Sequence, residues 1–260
     1  MKIGFIGLGN MGTAILQAVA KSGQHELLLS DHHAEKVVSL RDNYCGTISS
    51  NQEIASQAEV IFLGVKPHLV GQLLSELQAQ LAKNPSAIWI SMAAGVSIAQ
   101  LAQYLPADRI IRMMPNTPVS IGQGMTTFAT ENPENLQIFK ELMVHSGQIK
   151  QLPENLIDAA TAIAGCGPAF VYEFLQAMAS AGIQNGLTAN DAQFLASQTM
   201  LGAAQMMLES EQHPAQLRDQ VTSPGGSTIA GLVAMTQTGF QAAIIEGVNQ
   251  ALEKTRELGS

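Results

Sequence analysis

The chain has 260 residues, of which 46% are hydrophobic and 13% charged; this balance excludes a disordered protein and allows one large or two modest domains. Its formal charge of −8 at pH 7 excludes a protein that binds nucleic acid through a basic surface. The two cysteines, Cys45 and Cys166, are too few for a disulfide framework and lack metal-ligand spacing, so we expect a reducing cytoplasm and no metal site.

The N-terminal half alternates between short apolar segments typical of strands and segments with helical periodicity. The predicted strands are Lys2–Gly7, Glu26–Ser30, Val60–Val65, Ala87–Met92, Arg109–Met114 and Met125–Ala129. The predicted helices are Met11–Lys21, Ala34–Asn43, His68–Leu81 and Val96–Leu105. This alternation predicts a doubly wound α/β domain over residues 1–152, with a parallel sheet that helices cover on both faces.

From Pro153 onward the sequence predicts only helices. They are Glu154–Ile163, Pro168–Asn185, Ala189–Ser210, His213–Val221, Ser227–Thr236 and Phe240–Leu258. Gly186 stands where a left-handed residue is expected to end a helix, and Pro224-Gly225-Gly226 separates two helices. We expect an all-helical second domain over residues 153–260.

No membrane or targeting segment is expected. The chain enters its first strand without a basic leader, and its longest uncharged runs contain too many polar residues for a bilayer span. These features predict a cytoplasmic protein with no membrane partner.

The second domain is poor in charge and rich in small apolar residues. Arg218 is the only basic residue between Lys150 and Lys254. The helix 189–210 has little polar surface, and such a helix must be buried. It is either the core of a tight, alanine-rich domain or buried against a second copy of the chain, and we favour an obligate homo-oligomer.

The segment Gly7-Leu8-Gly9-Asn10-Met11-Gly12 has the spacing G-x-G-x-x-G and lies directly between the first strand and the first helix. Gly7 permits a tight turn, Gly9 lets the backbone approach a pyrophosphate, and Gly12 lets the helix pack closely on the strand. The pyrophosphate would lie at the helix N-terminus, where free N–H groups favour an anion. In this context the segment predicts dinucleotide binding rather than a plain glycine turn.

The residues after the second strand bear on the choice of dinucleotide. Asp31, about 20 residues after the fingerprint, is placed to bind the ribose 2′-hydroxyl of NAD and to repel the 2′-phosphate of NADP. Ser30, His32 and His33 carry hydrogen-bond donors for that phosphate. Asp31 is equally suited to cap the helix that begins at Ala34. The sequence leaves NAD and NADP both open.

Further cofactor contacts are expected where other strands end, because ligands of such sheets bind beyond the carboxyl ends of the strands. The residues at these positions are Val65, Lys66, Pro67, Ala93 and Ala94. Asn51, in a predicted loop, is a weaker candidate for the adenosine half. Asn116, in the stiff segment Met114-Pro115-Asn116-Thr117-Pro118, is expected near a nicotinamide ring.

The chain contains, in this order, the segments GFIGLGNMG, VKP, SMAAGVS, RMMPNTP, AGCGPAF, SEQHPAQLRDQ and VTSPGGST. Together they resemble pyrroline-5-carboxylate reductase over essentially the whole chain, and MPNTP and PGG-x-T are far more specific than the glycine fingerprint. The resemblance implies a Rossmann domain followed by a helical dimerisation domain, with a decamer of five dimers in some members. It also implies reduction of the cyclic imine 1-pyrroline-5-carboxylate to L-proline by NADPH or NADH, the last step of proline biosynthesis.

The resemblance assigns site residues motif by motif. Those assigned to the cofactor are Ile6 to Met11, Val65 to Pro67, Ala93 and Ala94. Those assigned to the substrate are Ser227 and Thr228, with Glu211 of the SEQHP segment on the side of the ring nitrogen. Three positions depart from the family pattern: Cys166 replaces a serine, Gln220 stands where some members have asparagine, and Asp31 is not expected for strict NADPH preference.

The residues themselves suit this reaction. The substrate is a small anion, yet the second domain offers almost no Arg or Lys, so we predict that backbone N–H groups of Gly225, Gly226, Ser227 and Thr228 hold its carboxylate. The Thr228 hydroxyl is predicted to contact the ring nitrogen as the catalytic group; Ser227 would otherwise serve as a helix N-cap. An imine can bind already protonated, so the enzyme mainly aligns the reacting atoms.

Two other functions are compatible with the N-terminal segment. A β-hydroxyacid dehydrogenase has a nearly identical GLGNMG but uses a catalytic lysine in its second domain, and this domain has no lysine before Lys254. A catalytically silent NAD(P)-sensing or scaffold protein would not need the MPNTP and PGG-x-T segments. The reductase is the preferred interpretation.

Overall fold

In the computed structural model, which describes residues 1–259, the chain forms one eight-stranded sheet surrounded and followed by helices. The strands are β1 (Lys2–Ile6), β2 (Glu26–Ser30), β3 (Thr47–Ile48), β4 (Val60–Leu63), β5 (Ile88–Ser91), β6 (Ile110–Met114), β7 (Gly124–Ala129) and β8 (Gly147–Gln151). The α-helices are α1 (Asn10–Ala20), α2 (Ala34–Tyr44), α3 (Asn51–Gln57), α4 (Val70–Glu76), α5 (Gln78–Leu81), α6 (Ile98–Leu101), α7 (Pro133–Leu142), α8 (Ile157–Ala160), α9 (Gly167–Gln184), α10 (Ala189–Ser210), α11 (Pro214–Gln220), α12 (Ser227–Gln237) and α13 (Phe240–Leu258).

The order of the strands confirms the predicted doubly wound fold. Across the sheet they run β3-β2-β1-β4-β5-β6-β7-β8. β1 is parallel to β2 on one side and to β4 on the other, so the winding reverses between β1 and β4. Ligands of such sheets bind at this switch point, beyond the carboxyl ends of the strands.

The prediction of a wholly parallel sheet is wrong at one pair. β6 and β7 are antiparallel, with Arg112 opposite Ala129 and Met114 opposite Thr127. The connection, residues 115–123, contains a 3₁₀ turn at Thr117–Ile121 and, within the described chain, no crossover helix. A parallel return requires a crossover of about a dozen residues or more, so this short connection brings the chain back antiparallel.

Several elements differ from the prediction. The sequence does not predict β3, α3, α7 or β8. The predicted helix Val96–Leu105 is only one turn, α6, and Glu154–Ile163 divides into a 3₁₀ turn, α8 and the start of a π-helical turn at Thr161–Gly165. β8 lies at the edge of the sheet and is mostly exposed, so it lacks the apolar run that marks a buried strand.

Two hydrophobic clusters cover the two faces of the sheet. Phe5 and Phe62 belong to one cluster, with their rings stacked at 5.0 Å between centroids. The adjacent residues Ile6 and Ile61 belong to the other, which also contains Trp89. Neighbouring residues of β1 and β4 therefore point into opposite cores, as a sheet covered on both faces requires.

The chain divides into two compact units. The first comprises Met1–Pro168 and the residues from Gln250 onward, and the second comprises Ala169–Asn249. The predicted boundary after residue 152 follows the end of β8, whereas residues 153–168 group with the sheet.

The end of α13 belongs to the first unit because it packs on the loop after β5. Gly95 has φ +78°, and a Cβ there would lie 2.6 Å from the carbonyl oxygen of Thr255. The Gln100 side chain donates to the carbonyl of Gly259 at 2.8 Å. These contacts within the first unit hold the last turn of α13 beside α6.

The second unit is helical, as predicted. α10 and α13 have the predicted bounds, and Gly186 after α9 has φ +96°. Among the described side chains of α10 only Ala192 and Ala196 are buried in the single chain. No single described helix is long and apolar enough to span a bilayer; α12 and α13 reach that length only as a pair bent by 51°.

Candidate active site

The turn between β1 and α1 admits only glycine at its first position. Gly7 has φ +91°, and its N–H donates to the carbonyl of Ser30 at 2.9 Å. A Cβ at Gly7 would lie 2.7 Å from the backbone carbon of Gly64. Both the backbone conformation and the close approach of Gly64, directly after β4, exclude a side chain here.

The other two fingerprint glycines differ in what surrounds them. A Cβ at Gly12 would lie 2.2 Å from the carbonyl oxygen of Gly7, so α1 packs directly on the turn. At Gly9 no described atom lies within 4 Å of the position that a Cβ would occupy. Gly9 is also the N-cap of α1, and no described side chain caps this helix. The open N–H groups and the space beside Gly9 fit a pyrophosphate.

Two cavities lie at the carboxyl ends of β1, β2 and β4. Their volumes are about 670 Å³ and about 420 Å³. The residues that line both are Gly7, Asp31, His32, Val65 and Leu69. The other predicted cofactor residues that line one or the other are Ile6, Leu8, Gly9, Asn10, Ser30, Asn51 and Lys66. The structure thus brings most of the predicted set to the switch point.

Some predicted cofactor residues do not line these cavities. They are Met11, Pro67, Ala93, Ala94 and Asn116. Ala93 is buried, and its N–H donates to Ser91 Oγ at 3.3 Å. A cofactor role for these five residues stays a prediction.

Asn116 has a structural role that the sequence does not reveal. Its Nδ2 donates to the carbonyl of Ala164 at 3.0 Å, and its Oδ1 accepts from the N–H of Met125 at 2.9 Å. The buried carboxamide therefore ties β7 to the π-helical turn Thr161–Gly165. One Nδ2 hydrogen is left for any other partner.

The Asp31 carboxylate faces inward. Its Oδ2 accepts from the N–H of Leu8 at 2.6 Å, and its Oδ1 accepts from the N–H of His33 at 2.9 Å. Burial acts to raise the pKa of Asp31, but the hydrogen bonds from His33 and Leu8 together outweigh it and hold the pKa below its ordinary value. The alternative that Asp31 caps α2 is wrong, since the N-cap of α2 is His33.

Two exposed histidines stand beside this carboxylate. The Nδ1 atoms of His32 and His33 lie 3.1 Å and 3.2 Å from Asp31 Oδ1, and the ring centroids are 3.8 Å apart. Each of these three residues offers one atom that could bind a metal ion, a histidine ring nitrogen or a carboxylate oxygen, and these atoms lie within 4.8 Å of one another. They form the only such group of three found among the described residues.

Asn51 lies at the start of a helix and not in a loop as predicted. Ser50 caps α3 by accepting from the N–H of Glu53 at 3.2 Å, and the Glu53 carboxylate accepts from Ser50 in return. This S-x-x-E capping box is the signal that would have revealed α3. The Ser30 hydroxyl donates to Asn51 Oδ1 at 2.6 Å, so the end of β2 and the start of α3 meet at the smaller cavity.

One wall of the smaller cavity is formed by the segment after β4, where the sequence predicts the helix His68–Leu81 but no contact with a ligand. Its cavity-lining residues are Leu69, Gln72, Leu73 and Glu76. The apolar and polar residues alternate with helical period directly after VKP, and this pattern was the available signal. Glu35 and Lys36 of α2 also line the larger cavity.

A further cavity of about 650 Å³ lies elsewhere in the first unit. Lys21, His25, Tyr44 and Cys45 are among its lining residues. It lies where α1 and α2 end and β2 begins, at the amino edge of the sheet, whereas ligands of this fold bind at the carboxyl edge. It contains none of the predicted site residues.

The PGG segment forms the predicted turn before a helix. Gly225 has φ +70°, and the N–H of Gly226 donates to the carbonyl of Ser223 at 3.1 Å. The N-cap of α12 is Gly226, so the alternative that Ser227 serves as the N-cap is wrong. Ser227 and Thr228 are exposed in the first turn of α12, and among the described residues no side chain caps this helix. Such a terminus suits a small anion.

Glu211 ends α10 in the left-handed conformation, with φ +55°, and its side chain is exposed. Nearby, His213 Nδ1 accepts from the N–H of Ala215 at 3.2 Å, so this histidine caps α11.

At one position that departs from the family pattern, burial raises the pKa of the Cys166 thiol, which disfavours its thiolate. At another, Gln220 donates to Gln212 Oε1 at 2.9 Å.

Comparisons with known proteins agree with this architecture. The family model described as pyrroline-5-carboxylate reductase dimerisation matches residues 154–258, and the model described as NADP oxidoreductase coenzyme F420-dependent matches residues 2–95. The chain is 40% identical to the pyrroline-5-carboxylate reductase of Synechocystis sp., over 100% of this chain and 98% of that protein. It is 38% identical to the Escherichia coli reductase, over 99% of this chain and 98% of that protein.

Solved structures show the same relationship. The crystal structure of Plasmodium falciparum pyrroline carboxylate reductase with NADP bound matches with a TM-score of 0.88 and 31% identity, covering 100% of this chain and 98% of that chain. A shared fold at this identity, together with full-length likeness to named reductases, shows the family. The chain belongs to the pyrroline-5-carboxylate reductase family.

Proposed function

We propose that this protein reduces the cyclic imine 1-pyrroline-5-carboxylate to L-proline with NADPH, and with NADH as a possible second coenzyme. The observation that carries the proposal is the full-length likeness, at 38–40% identity, to proteins named for this reaction. The MPNTP and PGG-x-T segments are intact, which disfavours a silent sensor on the same fold.

The residues at the switch point fit a dinucleotide. Gly9 and the uncapped N-terminus of α1 would hold the pyrophosphate, and the two cavities would hold the adenosine half. When bound, the nicotinamide coenzyme supplies the hydride. The choice of NADP is supported by the NADP bound in the P. falciparum relative and by the NADP oxidoreductase family model.

The PGG turn would hold the substrate. Backbone N–H groups of Gly225 to Thr228 would bind its carboxylate, since the described second unit has Arg218 as its only Lys or Arg, and this guanidinium is paired with Asp219. An iminium nitrogen already carries its proton, so the chain needs no acid at that atom. The Thr228 hydroxyl would accept that N–H, and Glu211 would lie on the same side of the ring.

An assay of NADPH oxidation by the purified protein, with 1-pyrroline-5-carboxylate as substrate, tests the proposal. Thr228→Ala is expected to lower kcat/KM about 10- to 100-fold, the value of a hydrogen bond to a charged group. Thr236→Ala is the matched control, because this hydroxyl lies on the same helix and donates to the carbonyl of Leu232. No oxidation above background by the unaltered protein would contradict the reductase function; an unchanged Thr228→Ala would remove only Thr228 from the mechanism.

The functional protein is proposed to be a cytoplasmic homodimer, with five dimers in a decamer. The dimerisation model matches residues 154–258, which supports a functional domain boundary after residue 152. Large apolar side chains of α10, among them Phe194 and Leu201, are exposed in the single chain and suit burial against a second copy. The two free thiols, Cys45 and Cys166, support a reducing compartment.

A further inference from the structure

The turn formed by residues 255–259, at the end of α13, lies between the segments that follow two neighbouring strands, β4 and β5. On one side, a Cβ at Gly95 in the loop after β5 would lie 2.6 Å from the backbone nitrogen of Gly259 and 2.6 Å from the carbonyl oxygen of Thr255. On the other side, Gly259 lines a cavity of about 320 Å³ together with Pro67 and His68, which follow β4. Ligands of this fold bind beyond these strand ends.

The turn 255–259 is fixed to the loop after β5 by its backbone. A Cβ on Gly259 would overlap the carbonyl oxygen of Gly95, so the two main chains meet with no side chain between them. The Gly259 carbonyl is accepted into α6 by a single donor, the Nε2 of Gln100 at 2.8 Å. Carbonyls of the last turn of a helix lack partners within the helix, so this side chain satisfies one of them. Thr255 is only 5% exposed, which shows how closely the turn packs.

The loop after β5 packs in turn on the glycine turn after β1. A Cβ at Gly64 would lie 2.5 Å from the carbonyl oxygen of Gly7 and 3.0 Å from Met92 Cε. Met92 directly follows β5 and begins the loop that ends at Gly95. Close contacts therefore run from the turn 255–259 through residues 92–95 and Gly64 to the turn that would hold the pyrophosphate.

We propose that the turn 255–259 is a positioning element of the coenzyme site, which holds the loop 92–95 against Gly64 and Gly7 and so sets the affinity for the nicotinamide coenzyme. The inference rests on the coenzyme site of the proposed function. The turn acts through the backbone of the loop and not by a side chain on the reacting atoms. Because NADPH and NADH share the pyrophosphate and the nicotinamide, both coenzymes respond equally.

Gln100→Glu removes the contact with the turn while it preserves α6. Gln100 Oε1 accepts from the N–H of Ser97 at 2.7 Å and from its hydroxyl at 3.0 Å, which forms the capping box of this helix. A glutamate also accepts both bonds, but it has no donor for the Gly259 carbonyl and places a negative oxygen beside it. The dissociation constants of NADPH and NADH, measured by coenzyme fluorescence without substrate, are each expected to rise about tenfold.

A second variant and a matched control accompany this experiment. Gly259→Ala forces the turn away from Gly95 and is expected to weaken both coenzymes to a similar degree. Gln103→Glu adds the same charge at an exposed side chain three residues farther along, and it is expected to bind both coenzymes as the unaltered protein does. Thermal unfolding verifies that the variants are folded at the assay temperature.

Hydrogen exchange distinguishes a positioning role from a general loss of stability. Energetic coupling between two sites is reciprocal, so NADPH bound to the unaltered protein is expected to slow amide exchange in residues 255–259 as well as in residues 92–97. In Gln100→Glu without coenzyme, the amides of both segments are expected to exchange faster, while those of α7 keep their rate.

An unchanged dissociation constant in Gln100→Glu or in Gly259→Ala would overturn the inference. So would an equal loss in Gln103→Glu, or faster exchange throughout the chain. If both coenzymes bind and respond as expected but the imine is not reduced, the reductase function fails and the inference stands. If the imine is reduced and the variants bind as the unaltered protein does, the inference fails alone. If neither coenzyme binds to the unaltered protein, both fail.

Discussion

Asp31 accepts two backbone hydrogen bonds that no single sequence pattern predicts. One oxygen accepts from Leu8 in the glycine turn, and the other accepts from His33 at the start of α2. The carboxylate therefore links the β1–α1 turn to the end of β2, whatever else it does for the coenzyme. Because the hydrogen bonds lower the pKa of Asp31, the folded chain stabilises the charged carboxylate more than the unfolded chain does.

This linkage predicts how Asp31→Asn changes stability with pH. A carboxyl whose folded pKa lies below its unfolded value, ordinarily 3.8, stabilises the fold fully above that value and loses its contribution as pH falls through the folded pKa. We expect the variant to unfold about 1–3 kcal/mol more easily at pH 7, with the deficit shrinking as the pH falls below 3.8. Urea unfolding across this range measures it.

Asp42→Asn is the control for that experiment, because the Asp42 carboxylate is mostly exposed and pairs with its neighbour Arg41 on the surface of α2. Its unfolding free energy is expected to change by less than about 1 kcal/mol at any pH. A deficit for Asp31→Asn that is absent at pH 7, or that grows on acidification, would show that the two backbone hydrogen bonds do not stabilise the charged form.

At the scale of the element, the β1–turn–α1 segment separates two uses of glycine. Gly12 stabilises the fold, since a Cβ there would collide with a backbone oxygen of the same turn. Gly9 has free space on its Cβ side and ordinary backbone angles, φ −58° and ψ −168°. The fingerprint spacing predicts these two uses, and the surroundings of the two glycines agree with that prediction.

The pair of variants Gly12→Ala and Gly9→Ala tests this separation. Gly12→Ala is expected to lower the free energy of unfolding by about 1–3 kcal/mol, as overpacking does. Gly9→Ala is expected to leave stability within about 0.5 kcal/mol and to weaken binding of NADPH at least about tenfold, because the methyl group fills the space for the pyrophosphate. Chemical unfolding and coenzyme fluorescence give the two readouts. A stable Gly12→Ala, or a Gly9→Ala with normal affinity, would contradict the assignment.

At the scale of the whole molecule, the helical unit buries few of its side chains within the single chain. Its longest helix, α10, has 22 residues but buries only alanines among its described side chains, and α12 has no buried described residue. Large apolar side chains of α10, such as Leu208, are exposed, and such side chains suit burial against a partner. The first unit differs, because its sheet already has a hydrophobic cluster on each face.

If α10 packs against a second copy in the proposed dimer, a charge placed on it is expected to disrupt that dimer. Leu201→Lys, at a side chain 59% exposed in the single chain, should lower the mass measured by light scattering toward that of one chain, or lower the melting temperature in a concentration-dependent way. Ile121→Lys is the matched control, since Ile121 is 72% exposed but lies in the first unit. An unchanged assembly in Leu201→Lys would exclude this face of α10 from the interface.

Local chemistry was sufficient to predict most of the elements. Short apolar strands, glycine at the turns and proline between helices each act over a few residues, so the doubly wound sheet, the bounds of α10 and α13, and the PGG turn before α12 could be read directly from the chain. Elements without an apolar period were not predicted: β8 is a polar edge strand, and α3 is marked only by its capping box.

Tertiary structure decided what depends on residues distant in sequence. The inward turn of Asp31 requires the N–H of Leu8 to stand beside the end of β2, and the role of Asn116 requires Ala164 and Met125 to approach its carboxamide. The return of the end of α13 to Gly95 likewise joins parts of the chain that no local pattern connects. A side chain's hydrogen-bond partners follow from packing, and packing is a property of the folded chain rather than of any short stretch of it.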